Sequence, residues 1–299
     1  MSGSPENDAR LDAADVRSSF DRASATYEAA AVLQARVGDD LLERLEFFKL
    51  NPDVVLDLGA GTGRITGELK RRYRRCTVVA LDVAPGMLRE AKRHFGFFRR
   101  FERVCGNVLR LPFANASVDV AVSSLMLQWC DDLDQALAEV RRVLKPGGLF
   151  SFTTLGPDTL KELRAAWTAA DGHSHVNMFI DMHDIGDALG RAGLIEPVLD
   201  VERLTLTYDD VRGLMRDLKT IGAHNVTAGR PRGLTGRSRL QRMEAAYEAE
   251  RRNGLIPATY EVIYGAAWGS GGTRGASMVD GEVRISPSAI RHGIRKHDD

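Results

Sequence analysis

The run Val55-Leu56-Asp57-Leu58-Gly59-Ala60-Gly61-Thr62-Gly63 has the make-up of a strand that enters a glycine turn and leaves it as a helix. Glycines permit the tight turn and let a ligand approach the backbone, and a helix N-terminus adds free N–H groups. The spacing is G-x-G-x-G, and Arg64 stands where the dinucleotide fingerprint G-x-G-x-x-G needs its last glycine. That weighs against nicotinamide or flavin binding. No G-K-[ST] follows, so a P-loop is absent. A glycine turn alone is equally compatible with a turn that holds no ligand. The next apolar run ends in Ala80-Leu81-Asp82, an acid about 20 residues past the glycines and suited to the two hydroxyls of a ribose. Further on, Gly106-Asn107-Val108 and Leu111-Pro112-Phe113 set a side-chain amide beside an apolar backbone, able to read an adenine edge. Ribose reader and base reader then fall at successive strand ends on one edge of a sheet, where such folds bind ligands.

The elements that must position these residues alternate. Apolar strands are expected at 54–58, 77–81, 118–124 and 149–155, with a weak strand at 102–105 and helices at 63–73, from Pro85 onward, and at 134–144. Strands apolar throughout, separated by helices, argue an α/β fold with a parallel sheet covered on both faces. Residues 11–50 read as helical and end at Asn51-Pro52. Beyond Leu155 the rhythm predicts helices over 158–170, capped by Asp158, and over 183–192. Strands are expected at 197–208 and 259–268, with a charged, glycine-interrupted helical stretch over 209–253 between them. The expected organisation is an N-terminal helical cap (1–50) and a main domain (51–268) with helical insertions near 156–182 and 208–256. A weakly ordered tail (269–299) follows, with one short strand near 283–285.

The 299 residues are 43% hydrophobic and 27% charged, ordinary globular values that exclude collagen-like, coiled-coil and wholly disordered chains. Lys+Arg and Asp+Glu both number 41, so a general nucleic-acid binder is not expected. No apolar run is long enough for a bilayer span, and the polar first ten residues do not read as a secretory signal, so no membrane association is expected. Cys76, Cys105 and Cys130 are isolated, which suits small apolar filler in a reducing cytoplasm. His173, His175 and His183 have no acid or cysteine at ligand spacing, so no metal is expected.

Asp57 to Gly63, Asp82, Asn107-Val108, Leu111-Pro112-Phe113 and Leu144-Lys145-Pro146-Gly147-Gly148 together resemble the class I S-adenosylmethionine-dependent methyltransferases over about residues 50 to 155. The resemblance implies a Rossmann-like, mostly parallel seven-stranded sheet with helices on both faces and a helical lid. It implies S-adenosyl-L-methionine as cofactor, its amino-acid end flanked by Gly59, Gly61 and Gly63, with Asp57 and Ala60 in the same turn. Asp82 would bind the ribose, Met87 would pack near the adenine, and Val108 and Leu125 would complete the site. Asn107 departs from the acid most common at its position, yet its amide can accept a hydrogen bond from an adenine amino group. Read without the family, Asp57 is a buried acid that ties the turn.

The flanks name a narrower family. Ser19-Phe20-Asp21-Arg22-Ala23 with Tyr27 and Gln34, Leu127-Gln128-Trp129-Cys130, Gly156 to Arg164, Phe179 to Asp184, Asp217 to Arg230, and Pro257-Ala258-Thr259-Tyr260 resemble the malonyl-[acyl-carrier protein] O-methyltransferases of biotin synthesis. That resemblance implies methyl transfer to the free carboxylate of malonyl held by an acyl-carrier protein or coenzyme A. Such a carboxylate is ionised at neutral pH and needs no general base. A dry pocket and one Arg or Lys to hold the anion are expected. Arg164 is the expected anchor, with Lys161 near it; Tyr27, Gln128, Trp129 and His183 are positioning candidates, each also readable as packing or surface. Residues 212–242 hold eight Lys/Arg against one acid, Asp217. Arg212, Arg216, Lys219, Arg230 and Arg232 are expected to meet the acidic carrier, whereas Lys70 to Arg75 is expected on the far side. Two alternatives are a relative of the arginine hydroxylases that assemble respiratory complex I, and a non-catalytic binding module that keeps the fold.

Overall fold

Seven strands form one sheet: β1 (Val54–Leu58), β2 (Thr77–Asp82), β3 (Glu102–Cys105), β4 (Val118–Ser124), β5 (Leu144–Leu155), β6 (Leu194–Tyr208) and β7 (Ile256–Gly269). The computed structural model describes residues 11–96, 100–171, 175–223, 236–271, 276–279 and 282–285. Strand order is β3-β2-β1-β4-β5-β7-β6. Pairing is parallel from β3 across to β5, and β7 runs antiparallel to both β5 and β6. The carboxyl ends of β1, β2 and β4 therefore share an edge, with the chain order reversing between β1 and β4. That reversal opens a crevice where doubly wound sheets bind ligands.

Successive residues of β1 feed different cores, which is why the strand is apolar at every position but Asp57. Val55, Val78 and Val120 pack with Leu41 and Leu42 of α3 (Val32–Arg44), Leu69 of α4 (Arg64–Arg72) and Leu88 of α5 (Pro85–Glu90). On the other face, Leu56, Val79 and Phe150 meet Leu137 and Val140 of α6 (Leu133–Val143), with Ile185 and Leu189 of α8 (Met182–Arg191). A third core lies over the carboxyl edge. It joins Leu33 to Leu163 and Trp167 of α7 (Lys161–Asp171), Leu214 of α9 (Val211–Thr220), Met243 and Tyr247 of α10 (Arg237–Glu248), and Tyr260 and Val262 of β7. The N-terminal helices α1 (Ala13–Ala23) and α2 (Tyr27–Ala30) complete this cover.

Several boundaries differ from expectation, most of them for reasons remote from the local sequence. Lys145-Pro146-Gly147-Gly148 does end α6, but it also belongs to β5 as a bulge: Leu144 pairs with Val118, and pairing resumes at Leu149 with Val120. Helix α7 begins at Lys161, so Asp158 does not cap it. Leu160 sits at φ +55°, which no helix accommodates. Strand β6 starts at Leu194, before Pro197, with a register shift between Ile195 and Val198. The single strand expected near 283–285 is half of an antiparallel pair, β8 (Ala276–Val279) with β9 (Glu282–Ile285). No helix among the described residues is long and apolar enough to cross a membrane.

Candidate functional site

A cleft with an empty volume of about 1540 Å³, mouth included, opens at the carboxyl edge between β1, β2 and β4. The glycine turn forms one end. Gly59 N–H and Ala60 N–H both donate to Leu81 O, at 2.8 and 3.0 Å, which pins the turn to β2. Asp82 faces this end, 8% exposed. Its Oδ2 accepts from Gly61 N–H at 2.9 Å and its Oδ1 from Ala84 N–H at 2.8 Å. A carboxylate offers about four acceptor positions, so capacity for a diol remains. Burial raises the Asp82 pKa, and the backbone donors oppose the rise. At Gly61, with φ +54°, a Cβ would meet nothing within 4 Å: the space above it is cleft. Met87, 1% exposed, forms the wall with Leu81, Val83 and Val108.

Asn107 also lines the cleft, but its Oδ1 accepts from Leu109 N–H at 2.9 Å. Only the oxygen can accept from a backbone N–H, so the free part of this amide is its NH2. The expected acceptor is in this geometry chiefly a donor. Asp57, Ala60 and Gly63 do not line the cleft. Asp57 is buried behind the turn, 1% exposed, where it accepts from Thr66 Oγ1 at 2.5 Å. Burial lifts its pKa to about 7, helped by the nearby Asp82 and opposed by Thr66. Gly63 is a packing glycine at φ +80°: a Cβ there would lie 2.7 Å from that of Ala91.

The sequence reading gave Gln34 no role, yet it is one of the site's clearest features. Its Oε1 is buried without a hydrogen-bond partner, and the residue lines the cleft. Arg64, the first residue after the turn, holds α3 there through Ala35 O at 3.3 Å and Asp39 at 2.7 Å. An unpaired acceptor in the same cleft, open space over Gly61 and a carboxylate with spare acceptor positions fit an aminoacyl nucleoside such as S-adenosyl-L-methionine. The only sequence signal for Gln34 was an amide next to the apolar positions Leu33 and Val37 of one helix.

The apolar wall of the cleft is formed by Leu33, Leu125, Leu155, Leu160 and Phe179, which pack in one core, together with Val16 and Phe20 of α1. Leu125, at φ +50°, has its N–H held by both the carbonyl and the Oγ1 of Thr153, each at 3.0 Å. Gln128 lines the cleft with its side chain committed at both ends: Nε2 donates to Leu125 O at 2.7 Å, and Oε1 accepts from Thr154 at 3.2 Å. Trp129 stands edge-on to Phe20 with centroids 5.2 Å apart. Tyr27 lines the cleft, and burial followed by the charge of Asp82 raises its pKa, so its hydroxyl stays protonated. Tyr208, Asp217 and Tyr260 also line the cleft; the sequence offered Tyr208 only as the end of a strand and Tyr260 only as the end of the Pro257-to-Tyr260 motif.

Three residues expected near the acceptor lie elsewhere. Arg164 does not line the cleft; its guanidinium donates to Pro157 O at 2.9 Å and Thr159 O at 3.1 Å. His183 is exposed at the start of α8, with Nδ1 2.8 Å from the capping Asp181. Lys161 is exposed, 3.9 Å from Asp158. Among the described residues that line the cleft there is no Lys, Arg or His. Among the described residues there is also no cluster of metal-ligating side chains.

A family model described as a methyltransferase domain matches residues 56–152. The malonyl-[acyl-carrier protein] O-methyltransferase of Methylovorus sp. is 58% identical over 265 residues, 86% of this chain and 89% of the relative. That of Laribacter hongkongensis is 55% identical over the same shares. That of Halorhodospira halophila is 48% identical over 96% of each chain. Among solved structures, YcgJ of Bacillus subtilis superposes with TM-score 0.56 at 18% identity, over 78% of this chain and 99% of its own. A Haemonchus contortus N-methyltransferase solved with S-adenosylhomocysteine superposes with TM-score 0.50 at 18% identity, over 78% of this chain and 53% of its own. These show the expected Rossmann-like methyltransferase fold, and nothing in the relatives supports the hydroxylase or binding-module alternatives. Given such identity across nearly the whole of both chains, this chain belongs to the malonyl-[acyl-carrier protein] O-methyltransferase family.

Proposed function

We propose that this chain methylates the free carboxylate of malonyl-[acyl-carrier protein] from S-adenosyl-L-methionine, giving the methyl ester early in pimeloyl and biotin synthesis. The observation that carries the reading is the single cleft that joins a carboxylate-and-glycine end, at Asp82 and Gly61, to an apolar wall without cations among its described residues. When bound, S-adenosyl-L-methionine supplies a methyl group on a positively charged sulfur. Asp82 would hold the ribose, Gln34 the amino group, and Met87 with Val108 the base; Gly61 leaves the room. Asp57 and Gly63 serve by shaping the turn.

The acceptor arrives ionised, with a pKa of roughly 3 to 4, and no base is required. Charge is lost as the new bond forms, so water that solvates the separated charges slows the reaction. Phe20, Leu125, Leu155 and Leu160 exclude that water. The neutral donor Tyr27, at the Asp82 end, orients the carboxylate without the full ion pair that would blunt its nucleophilicity. Gln128 acts through Leu125, which it holds, and Trp129 through Phe20. Alignment supplies much of the remaining acceleration.

Carrier docking belongs to α9. Arg216 and Lys219 are exposed there, next to Leu218, which lines the cleft. Arg212 is less available, because Glu244 holds its Nε at 2.5 Å. Arg230 and Arg232 lie outside the described residues. The basic run Lys70 to Arg75, which begins in the last turn of α4, binds its own neighbours, with Lys70 on Cys76 O and Arg72 on Leu42 O. In this reading residues 1–50 act as a cap, 51–268 as the catalytic domain and 269–299 as a tail. The setting is the cytoplasm, where the free thiols of Cys76, Cys105 and Cys130 stay reduced. The test is transfer of labelled methyl to malonyl-carrier protein as a base-labile ester, with D82A as control and rescue of a biotin auxotroph lacking this step. Folded protein that binds the cofactor but leaves the carrier unlabelled would exclude the reading.

A further inference from the structure

Leu160 and Leu125 are both leucines at positive φ, +55° and +50°, and both line the cleft. A bulky residue persists in that region only where its surroundings over-determine it, and such sites gather at ligand clamps. What over-determines Leu160 is a lattice built on β7. Leu160 N–H donates to Thr259 O at 2.7 Å, and Gly156 N–H donates to Glu261 O at 2.8 Å. Thr159 Oγ1 donates to Glu261 O at 3.2 Å and accepts from Glu261 N–H at 3.1 Å. The Glu261 side chain, on a residue only 8% exposed, accepts from Asp158 N–H at 2.9 Å and pairs with Arg203 at 3.3 Å. Arg203 also reaches Asp158, at 3.2 Å. A Cβ on Gly156 would lie 2.6 Å from the Glu261 carboxylate, so the turn is seated directly on that group.

We infer that Glu261 is a positioning residue that sets acceptor length: it holds the Gly156–Leu160 turn so that Leu160 closes the apolar wall and admits only a short diacid. The carboxylate does not line the cleft, and a buried acid is retained only where it has work to do. Here it locks the backbone on either side of a strained residue. Leu160, 5% exposed, packs with Leu33, Leu125 and Leu155, so each added methylene of a longer acyl chain must displace that wall. The Arg164 guanidinium, on the carbonyls of Pro157 and Thr159, braces the same turn from α7.

The inference rests on the proposed carboxyl methylation, and the experiment separates the two. Carrier protein loaded with malonyl, succinyl or glutaryl half-thioesters is offered to wild type, E261A, E261Q and L160G, with S-adenosylhomocysteine affinity measured alongside by calorimetry. L160G keeps the lattice, suits the positive φ and removes the wall. The glutaryl-to-malonyl ratio of kcat/KM should rise about tenfold in L160G and E261A. E261Q, which keeps an oxygen for Asp158 N–H but loses the pair with Arg203, should fall between them and wild type. Cofactor affinity should stay within about twofold. A ratio unchanged in E261A overturns the inference whatever L160G does, as does an equal loss on every acceptor in step with cofactor affinity. Wild type that labels no malonyl-carrier sinks the functional reading and this inference together. Labelling by wild type with unchanged ratios sinks the inference alone.

Discussion

Asp57 and Asp82 occupy neighbouring strands, and burial raises the pKa of both. Asp57 is sealed behind the turn, and burial lifts its pKa from 3.8 to about 7. Between those values the folded protein holds a proton that the unfolded chain has lost, so stability falls as pH rises through that interval, and the full penalty stands above it. Asp57→Asn removes the titration while its amide oxygen still accepts from Thr66. Its advantage over wild type should be small near pH 4, grow to about pH 7 and then level off at a few kcal/mol at most. Urea melts of both proteins at pH 5 and pH 8 check this; an equal gap at both pH values would show an ordinary carboxyl. Asp82→Ala removes an acceptor from the cleft and from Gly61 and Ala84 N–H. It should weaken S-adenosylhomocysteine binding by about 1.5–3 kcal/mol, measured by calorimetry. The place of Asp82 was legible because β–α–β spacing fixes which residue ends the second strand. The duty of Arg164 was not, since the direction of a side chain on α7 depends on where that helix begins, which Leu160 decides through bonds to β7.

Helix α1 shows how an element is seated. Asp21 Oδ1 accepts from Gly86 N–H at 2.5 Å, and a Cβ on Gly86 would lie 2.6 Å from that oxygen, 2.7 Å from Ser24 Oγ and 2.9 Å from Asp21 O. In an isolated helix, Gly→Ala near Gly86 would stabilise by up to about 1 kcal/mol. Here the added methyl should instead cost about 1–3 kcal/mol, because the backbone of α1 must move. Gly86→Ala should therefore expose α1 to proteolysis and lower kcat/KM for the acceptor, since Val16 and Phe20 leave the cleft with it. The sheet should stay protected. Wild-type proteolysis and kinetics would show that α1 is not seated through this contact. Elements of this kind divide by how local their causes are. Strands β1, β2, β4 and β5 were legible because a strand covered on both faces is apolar at nearly every position, whereas β3, with Glu102 and Arg103 at the sheet edge, gave a weaker signal. The bulge at Lys145–Gly148 and the start of β6 before Pro197 depend on partners far along the chain, which periodicity does not report.

At the scale of the molecule, 41 basic and 41 acidic residues cancel, so attraction to an acidic carrier has to come from where charges are left unspent. Much of the basic stretch that the sequence offered is spent on the protein itself: Arg212 on Glu244, Arg242 on Ala170 O, and Arg239 within 3.9 Å of Asp171. Arg216 and Lys219 stand exposed on α9, beside the cleft-lining Asp217 and Leu218. An exposed pair acts over about 10 Å at 0.1 M salt and about 3 Å at 1 M. Reversing both charges, R216E with K219E, should therefore lower kcat/KM for malonyl-carrier protein about tenfold at low salt, through slower encounter. The gap to wild type should close toward 1 M. Malonyl-pantetheine, which brings no acidic carrier surface, should react equally with both proteins at every salt concentration, and S-adenosylhomocysteine affinity should not change. Kinetics of both acceptors across a salt series check this. An equal loss on malonyl-pantetheine would mean that the substitutions damage the cleft, and a gap that persists at 1 M would mean that contact rather than steering sets the effect.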